Sequence, residues 1–588
     1  MYTDEKNVQI LISLMKKNKI RKVIVSPGTT NISFVASIQS DPFFELYSCV
    51  DERSAAYMAC GLSEESGEVV ALSCTGATAS RNYISGLTEA FYRKLPILAI
   101  TSTQFTGRIG HNVPQVIDRS TSMNDIKRIS VELPTVYTTE DEWSCCIKAN
   151  EAIQELFHNG GGPVHINLTT TYSTNYSCRI LPVVPHIKRI SINDTFPKIS
   201  NGKIAIFVGA HKKWNKKLVG LVEKFCKLHN AAVLYDHTSN YVGSYGTLAN
   251  LVTNQEIYKP DCLKMDLLIH IGNISGAYMG VYPNSVWRIN PDGKICDTFK
   301  KLEYVFEMEE EYFFDYYTNF KEYKTEKMYE IENTYAITWQ KERKRISDKV
   351  PMLPLSNIWI AQQISKKLPE NCVVHFGILN SLRAWNMFEF SNTICGYANT
   401  GGFGIDGCLS SLIGASLAFP EKLYFGIFGD LSFFYDMNSI GNKHIGNNLR
   451  ILVINNGIGA EFKNYNHKAA IFKEEADTFI AASGHFGNKS PMLLKHYAKD
   501  LGFNYYSAST KEEFLESLDR FVSNNMFTSP IIFEVFTSPK DESEALRLIS
   551  QIDVDGLKKK TNIPKKIIKE IIGESGINTM YKIIEKIK

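Results

Sequence analysis

Short apolar runs alternate with stretches of helical spacing along most of this chain. In the first segment, 1–185, the runs are KVIVSP, ELYSCV, VVALSC, LPILAIT and GPVHINL. A second segment, 190–345, contains KIAIFVGA, AAVLYD and LLIHIGN, and a third, 352–552, contains CVVHFG, LYFGIFGD, RILVINN and PIIFEVF. Apolar strands alternating with helices are typical of parallel sheets that are covered on both faces. The pattern therefore predicts an α/β protein with three doubly wound domains.

The stretches between and after these segments follow other patterns. A Pro-containing linker, LPVVPHIKR, separates the first two segments, and the charged, aromatic stretch from Glu307 to Arg345 is predicted to be a mostly helical connector. Residues 553–588 are rich in Lys and Ile, and their helical spacing is interrupted between Gly573 and Gly576. They predict a basic helical extension, which either packs on the body of the protein or serves regulation or partner docking.

Composition narrows the class of protein. The 588 residues are 44% hydrophobic and 22% charged with a net charge of +3, which favours neither nucleic acid nor an anionic membrane as a partner. No apolar run approaches the roughly 18 residues of a membrane span, and the N-terminus MYTDEKN has no apolar signal core. The 12 cysteines show no zinc-ligand spacing, which predicts buried thiols in a cytoplasmic protein.

The clearest candidate site lies in the third segment, where polar residues follow two apolar strands. LYFGIFGD ends in Gly429 and Asp430, and Ser432 follows before a helical stretch. RILVINN ends in Asn455 and Asn456, and the spacing from 430 to 456 leaves room for one helix between neighbouring parallel strands. Ligands of α/β sheets bind at such strand ends, and helix N-termini favour phosphate. Carboxylate, amide and phosphate oxygens suit Mg²⁺; the alternative is an Asp cap followed by an ordinary Asn turn.

These paired motifs resemble the diphosphate signature of thiamine-diphosphate enzymes. DERSAAYMACGLS places Glu52 after a strand and at the start of a helix, where the resemblance implies the carboxylate that activates the cofactor; a helix cap is the alternative. SPGTTN, CTGATASRNYISGLTEAFY and LPILAITSTQ also match the pyrimidine domain of these enzymes. In GGFGIDGCLSSLIGAS, Ile405 matches the bulky residue beneath the bent cofactor. Both cofactor domains match well, whereas the middle domain matches only in outline.

The resemblance implies a complete set of site residues. The implied Mg²⁺ ligands are Asp430, Asn456 and the backbone carbonyl of Ile458. The implied catalytic groups are Glu52, Gln115 and His111, although a solvent-facing loop residue is the alternative for His111. The residues implied to contact thiamine diphosphate are Gly28, Thr78, Asn82, Ser381, Gly404, Ile405, Gly429, Leu431, Ser432 and Gly459. Active sites of this superfamily lie between subunits, which implies a homodimer or homotetramer.

Within the superfamily, the chain most resembles the menaquinone-pathway synthases, which join 2-oxoglutarate to isochorismate. SPGTTN is similar to their SPGSRS, and GFGIDGCLSSLIG is similar to their ASGIDG segment. Three arginines of that family fall here at Thr30, Trp385 and Thr400, and Arg383 is shifted by two positions. Neither Thr nor Trp can replace a bidentate arginine contact. The departures predict a smaller or less anionic donor, such as pyruvate, and a neutral or sugar-like acceptor.

Three classes of function are compatible with these motifs. The first is a carboligase, which decarboxylates a 2-oxoacid and transfers the acyl-anion equivalent to a carbonyl or enone acceptor. The second is a simple 2-oxoacid decarboxylase or a hydrolase of a related cyclic dione, with the menaquinone-pathway reaction as a further alternative to the main prediction. The third is a non-catalytic protein that uses the cofactor fold for interaction. Glu52, Asp430 and Asn456 together favour catalysis over the third class.

Overall fold

The computed structural model describes residues 1–119, 121–277, 279–319 and 333–554. It contains three sheets of parallel strands surrounded by helices, which confirms the predicted α/β fold class. Two compact units divide the chain: one is Met1–Ile199 with Ser285–Glu309, and the other is Ser200–Asn284 with the described residues from Glu310 on. The predicted C-terminal extension lies outside the described residues, apart from 553 and 554.

The first sheet lies in the first unit. Its strands are β1 (Lys22–Val25), β2 (Glu45–Ser48), β3 (Val70–Thr75), β4 (Ile97–Thr103), β5 (Ser130–Leu133) and β6 (Val164–Thr169), in the order β2-β1-β3-β4-β6-β5. The helices of this segment are α1 (Lys6–Lys17), α2 (Ile32–Ile38), α3 (Glu52–Ser66), α4 (Thr78–Asn82), α5 (Ile84–Tyr92) and α6 (Thr139–Glu155). Apolar side chains of α1 and α6 pack with those of the strands in one core. The carboxyl ends of β1 to β4 are therefore presented at one edge of the sheet.

The second sheet has seven strands. They are β7 (Lys188–Ile190), β8 (Ile204–Val208), β9 (Ala231–Tyr235), β10 (Gly246–Leu248), β11 (Lys264–Ile271), β12 (Tyr282–Ile289) and β13 (Leu302–Phe306), in the order β10-β9-β8-β11-β12-β13-β7. The helices are α7 (Lys216–His229), α8 (Asn250–Thr253), α9 (Glu310–Asn319) and α10 (Thr334–Ser347). Both described parts of the predicted connector are thus helical. The predicted linker is not wholly irregular, because its last two residues begin β7.

The third sheet lies in the second unit. Its strands are β14 (Val373–Phe376), β15 (Cys395–Ala398), β16 (Tyr424–Gly429), β17 (Leu449–Asn455), β18 (Asn504–Ala508) and β19 (Ile531–Phe536), in the order β15-β14-β16-β17-β19-β18. The helices are α11 (Asn357–Ile364), α12 (Asn380–Trp385), α13 (Cys408–Ser416), α14 (Asp430–Tyr435), α15 (Leu493–Asp500), α16 (Lys511–Phe521) and α17 (Pro539–Ser550). All seven residues of β17 are buried, as expected for a central parallel strand.

The strands that the apolar pattern missed have weaker signals. β5, β15 and β18 lie at sheet edges, where one side of the strand has no strand neighbour and polar or half-exposed residues are tolerated. β12 includes Pro283, a residue that argues against a strand inside a sheet, and its pairing with β13 shifts register between Val286 and Trp287.

The cysteines and helices test two further expectations. All 12 cysteines carry free thiols, but the prediction that all are buried is wrong. Cys296 is exposed in a loop, and Cys49, Cys178 and Cys395 are partly exposed. Among the described residues, no helix combines the length and apolar character needed to cross a bilayer. Cytoplasmic localisation stays a prediction.

Candidate functional site

The ends of β16 and β17 meet at one edge of the third sheet. The strand register pairs Gly429 with Ile454, so Asp430 and Asn456 both follow at this edge. The Asp430 side chain is almost completely buried at 2% exposure, and its Oδ2 accepts a hydrogen bond of 3.1 Å from the backbone N–H of Gly457. The structure therefore brings the predicted carboxylate into direct contact with the loop that carries the predicted amide ligand.

The loop after β17 has a restricted backbone. Gly457 has a φ of +75°, and a side chain there would also meet the Asn488 amide nitrogen at 2.3 Å. Ile458 is buried against Ala460 and Ala481, and the Gly459 N–H donates to the Ala481 carbonyl at 2.6 Å. A glycine and local packing therefore restrict the conformation of this predicted ligand loop.

The first residues of α14, which begins at Asp430, contribute backbone and side-chain groups to this half-site. A Cβ built on Gly429 would meet no atom within 4 Å, so the backbone is open to a ligand at this point. Ser432 Oγ donates to the Ile405 carbonyl at 2.9 Å, which ties the loop of Gly404 and Ile405 to α14. Leu431 is half-buried between Asp430 and Ser432. The structure therefore gathers five of the predicted cofactor contacts, Gly404, Ile405, Gly429, Leu431 and Ser432, around one helix start.

A histidine that no sequence motif indicated also lies in this half-site. His485 Nε2 lies 3.0 Å from Asp430 Oδ2, and the imidazole is 14% exposed. The His485 ring also lies 5.8 Å from the ring of Phe434, measured between centroids. Gly484 and Gly487 lie near this histidine in the sequence, but its separation of 55 positions from Asp430 hides the pairing from any local motif.

A buried polar network lies next to the loop of the predicted metal ligands. The Asn455 side-chain amide donates to Glu534 Oε1 at 2.7 Å, and the Tyr505 hydroxyl donates to Glu534 Oε2 at 2.6 Å. Burial raises the pKa of Glu534, although both hydrogen bonds lower it, and the negative charge of Asp430 raises it further. Glu534 therefore anchors the residue that directly precedes Asn456, and sequence spacing contained no signal for it.

The positions of the missing arginines are closed to solvent in this structure. Trp385 is completely buried, and its indole N–H donates to Asn357 at 3.1 Å. Thr400 is buried, and the Thr30 hydroxyl donates to the Ser102 carbonyl at 2.7 Å. Arg383 donates to Glu461 at 2.5 Å, so its positive charge is paired within the chain. Thr30, Trp385 and Thr400 are uncharged and Arg383 is paired, so these four residues offer no unpaired positive charge to a substrate carboxylate.

A polar cavity opens beside this region of the second unit. Its volume is about 220 Å³, and its lining combines the Arg383–Glu461 pair with Asn380, Asn464 and Glu542. Ser381, a predicted cofactor contact, is buried next to this lining and accepts a long hydrogen bond of 3.5 Å from Asn357. The residue before α12, Leu379, has a φ of +63°, a strained conformation of the kind found at functional sites.

The pyrimidine half-site lies in the first unit. Asp51 caps α3 by accepting from the N–H groups of Arg53 and Ser54, so Glu52 is the first helical residue, as predicted. The Asn82 amide donates to Glu52 Oε2 at 3.1 Å, which brings two predicted residues together. Thr78 begins the same short helix that Asn82 ends. Glu52 is partly exposed at the start of α3.

Gly28 and the loop of His111 complete this half-site. A Cβ at Gly28 would lie 1.9 Å from Thr75 Cγ2, so a larger residue here would have to displace the Thr75 side chain on β3. His111 and Gln115 are exposed, and neither side chain hydrogen-bonds to the described residues. Gln115 has a φ of +64°, a second strained position. The structure brings neither residue into contact with Glu52.

The donor set fits thiamine diphosphate with a hard cation. Asp430 and Asn456 offer oxygen ligands, and the open backbone at Gly429 leaves space for phosphate. No cluster of three or more His, Cys, Asp or Glu side chains with metal-binding geometry occurs in the described part of the chain. A cation at Asp430 would therefore complete its coordination with amide, carbonyl and phosphate oxygens.

Comparisons with known proteins agree with these motifs. The family model described as the N-terminal TPP binding domain of thiamine pyrophosphate enzymes matches residues 6–122. The chain is similar to 2-succinyl-5-enolpyruvyl-6-hydroxy-3-cyclohexene-1-carboxylate synthase of Phocaeicola vulgatus, with 30% identity over 575 residues, 93% of this chain and 98% of the relative. The synthase of the same name from Bacteroides fragilis is 29% identical over 570 residues, 93% of this chain and 99% of the relative. The similarity extends over nearly the full length of both chains, so this protein belongs to the family of thiamine-diphosphate-dependent 2-succinyl-5-enolpyruvyl-6-hydroxy-3-cyclohexene-1-carboxylate synthases, enzymes that couple decarboxylation of a 2-oxoacid to carbon–carbon bond formation.

Proposed function

We propose that this enzyme takes a small 2-oxoacid with a single carboxylate, such as pyruvate, as its donor, and a neutral or sugar-like carbonyl compound as its acceptor. The observation that carries this proposal is the chemistry of positions 30, 385 and 400. A dicarboxylic donor and a carboxylated acceptor need fixed cations, and bidentate arginine contacts serve this best. Thr30, Trp385 and Thr400 are buried and carry no charge, and Arg383 is neutralised by Glu461.

Glu52 has the position of the activating group in this proposal. Thiamine diphosphate, when bound, would supply the nucleophile and the electron sink for decarboxylation of the 2-oxoacid. Glu52 holds a proton against the ring nitrogen of the pyrimidine, and the Asn82 amide, 3.1 Å from Glu52 Oε2, fixes the direction of the carboxylate. Gln115 and His111 are the proposed donors to the reacting groups.

Asp430, Asn456 and the carbonyl of Ile458 are the proposed ligands of Mg²⁺. The contact between Asp430 and the N–H of Gly457 supports this assignment, because it joins the two strand ends that supply the ligands. The proposed contacts to the diphosphate come from Ser381, Ser432 and the backbone of Gly429, Leu431 and Gly459. Gly28 and Thr78 are the proposed contacts on the pyrimidine side, and Gly404 and Ile405 would provide further contacts to the cofactor.

The proposed assembly is a homodimer or a homotetramer of such dimers. One face of α3 exposes Tyr57 and Met58, which are 48% and 44% exposed, and Val50 just before the helix is 76% exposed. The opposite face of the same helix is buried through Ala55 and Ala59. Exposed apolar side chains grouped beside a functional residue are typical of an interface. A second subunit on this face would also supply the dry surroundings that Glu52 lacks in one chain.

The reaction named for the relatives is the second candidate. Identity of 30% to the Phocaeicola vulgatus synthase over 93% of this chain favours it. It would require cations from outside the three positions to bind two carboxylated substrates. The two candidates therefore differ in the charge of the substrates.

A comparison of turnover with the two donors distinguishes the two candidate reactions. Purified enzyme with thiamine diphosphate and Mg²⁺ is supplied with pyruvate or 2-oxoglutarate, first alone, then with isochorismate or with a panel of neutral aldehydes and ketones, and CO₂ and products are measured. We expect a kcat/KM for pyruvate at least about tenfold above that for 2-oxoglutarate, which is about 1.4 kcal/mol. Equal or faster turnover of 2-oxoglutarate, with isochorismate as the acceptor, would refute the proposal and establish the reaction of the relatives.

The Glu52→Gln variant is the control for catalysis. Loss of a positioned acid–base group lowers rates by about 10²–10⁴-fold. The variant should therefore release CO₂ at least about a hundredfold more slowly with every donor, while it still binds thiamine diphosphate. Unchanged turnover would mean that Glu52 is not the activating residue.

A further inference from the structure

Three cations line one cavity of the first unit. Arg81, Arg119 and Lys127 surround it together with the hydroxyl groups of Ser80, Thr101 and Ser122. Its volume is about 40 Å³, and it opens to solvent. No Asp or Glu belongs to its described lining, and none of the three cations forms an ion pair with a described residue. The cavity is thus strongly positive in a protein whose net charge is only +3.

The Arg119 guanidinium is the centre of this cluster. It donates hydrogen bonds to Thr101 Oγ1 and Asn167 Oδ1, which are both neutral acceptors. A side chain at Gly76 would meet Arg119 Nη2 at 2.7 Å, so the guanidinium is pressed against the backbone after β3. A cation that is withdrawn from water without an anionic partner is costly, and this cost is relieved when an anion binds.

The buried side chain of His165 lies close to the same positive charges. Its Nε2 lies 2.7 Å from Thr101 Oγ1, and its Nδ1 lies 2.7 Å from Ser130 Oγ. Burial lowers the pKa of His165 to about 3, and the charges of Arg119 and Lys127 lower it further. Burial likewise lowers the pKa of Arg119 to about 10; Cys74 and the nearby Glu132 oppose this, and Arg81 adds to it. His165 is therefore neutral at physiological pH, and the positive charges lack full compensation.

We propose that this cavity binds one small oxyanion, such as inorganic phosphate or the carboxylate of a small metabolite. The planar guanidinium of Arg119 and the ammonium of Lys127 are suited to oxyanions. Ser80 Oγ already donates to the Gly76 and Ala77 carbonyls, and Thr101 Oγ1 pairs with Arg119 and His165. The Ser122 hydroxyl accepts from Lys127 and can itself donate to a bound oxygen. A single water needs roughly 10–15 Å³ of such space. A cavity of about 40 Å³ therefore has space for about three or four waters, which a small oxyanion would displace.

A bound anion would join two parts of the pyrimidine half-site. Arg81 precedes Asn82, the residue that contacts Glu52, and its guanidinium also donates to the Asp118 carbonyl at 2.9 Å. Asp118 and Arg119 follow the loop of His111 and Gln115 in the sequence. An anion shared by Arg81, Arg119 and Lys127 would therefore hold the end of this loop against α4. Binding of the anion does not depend on the proposed substrates.

Anion titration of the holoenzyme tests this site. The enzyme is saturated with thiamine diphosphate and Mg²⁺, so that the cofactor occupies its own phosphate contacts. Phosphate, and separately acetate, is titrated against chloride at constant ionic strength, and heat release and the thermal midpoint are measured. We expect saturable binding of at least one anion. Binding of phosphate alone identifies a phosphate site, and binding of acetate alone identifies a carboxylate site.

Charge-removing variants locate the binding. Arg119→Gln should raise the Kd of the bound anion at least about tenfold, or about 1.4 kcal/mol, because it removes a charge-assisted contact. Arg81→Gln, at an exposed position, should raise it by a smaller factor and decides the question if Arg119→Gln does not fold. Arg179→Gln, an exposed arginine of the same unit, should leave it unchanged. No saturable binding of either anion, or equal Kd values in wild type, Arg119→Gln and Arg81→Gln, would overturn the proposal.

Discussion

Replacement of Glu542 by glutamine isolates the effect of one buried carboxyl group on stability. Glu542 lies in the first turn of α17, and both carboxyl oxygens accept from the Asn357 N–H, at 3.1 and 3.0 Å. The Thr537 hydroxyl donates to Oε1 at 2.7 Å. Burial raises the pKa of Glu542 to about 7; the hydrogen bonds from Thr537 and Asn357 oppose this, and the charges of Asp541 and Asp430 add to it.

The sign and the size of the effect follow from this pKa. In the unfolded chain the carboxyl loses its proton near its ordinary pKa of 4.5, whereas in the folded protein it keeps the proton until about pH 7. The stability from the retained proton is therefore fully present below pH 4.5 and is lost as the pH rises through 7. At 1.36 kcal/mol per pH unit, the loss amounts to about 3 kcal/mol. Glutamine resembles the protonated acid, so Glu542→Gln does not suffer this loss.

Urea unfolding between pH 4.5 and 8, followed by tryptophan fluorescence, measures the difference between variant and wild type. We expect the free energy of unfolding of Glu542→Gln to rise by about 3 kcal/mol relative to wild type across this range. Glu516→Gln, at an exposed position of α16, is the matched control and should show a constant difference. A difference for Glu542→Gln that stays flat within about 1 kcal/mol, or that falls as the pH rises, would refute the reasoning.

Three further substitutions test the second unit. Glu534→Leu leaves the Asn455 amide and the Tyr505 hydroxyl without their acceptor, which should lower the free energy of unfolding in urea by about 2–6 kcal/mol. The matched variant Tyr505→Phe should lower it by about 1–3 kcal/mol. Equal stability of Glu534→Leu and wild type would contradict this role of Glu534. Asp430→Asn should raise, at least about tenfold, the Mg²⁺ concentration at which half of the enzyme binds thiamine diphosphate, as measured by fluorescence quenching. The control variant Asp500→Asn, at an exposed position, should leave this concentration unchanged. An unchanged Mg²⁺ requirement of Asp430→Asn would show that Asp430 is not a ligand. Trp385→Arg should lower the free energy of unfolding by about 3–5 kcal/mol, because it removes a completely buried indole and buries a charge. A stable variant that gains activity with 2-oxoglutarate would contradict this prediction.

Much of the fold was accessible from the apolar pattern. Central strands such as β16 and β17 are buried on both faces, so nearly every residue must be apolar, and each strand is visible in the sequence by itself. Edge strands such as β5 and β18 are half-exposed, and their residues resemble those of loops. Burial of the cysteines was predicted uniformly, but Cys296 shows that residue type alone does not decide burial.

Some residues of the candidate site were likewise indicated by the sequence, and others were found only in the structure. The apolar pattern by itself indicated the pair Asp430 and Asn456, because each residue directly follows an apolar strand and neighbouring parallel strands end at a common edge. Glu52 was indicated only by the resemblance to thiamine-diphosphate enzymes. Only the tertiary structure decided which distant residues complete the site. His485 reaches Asp430 across 55 positions, Glu534 holds Asn455 across 79, and Arg119 joins Thr101 and Asn167 behind Gly76. Such contacts depend on how helices and loops pack on the sheet, and spacing along the chain does not encode that packing locally.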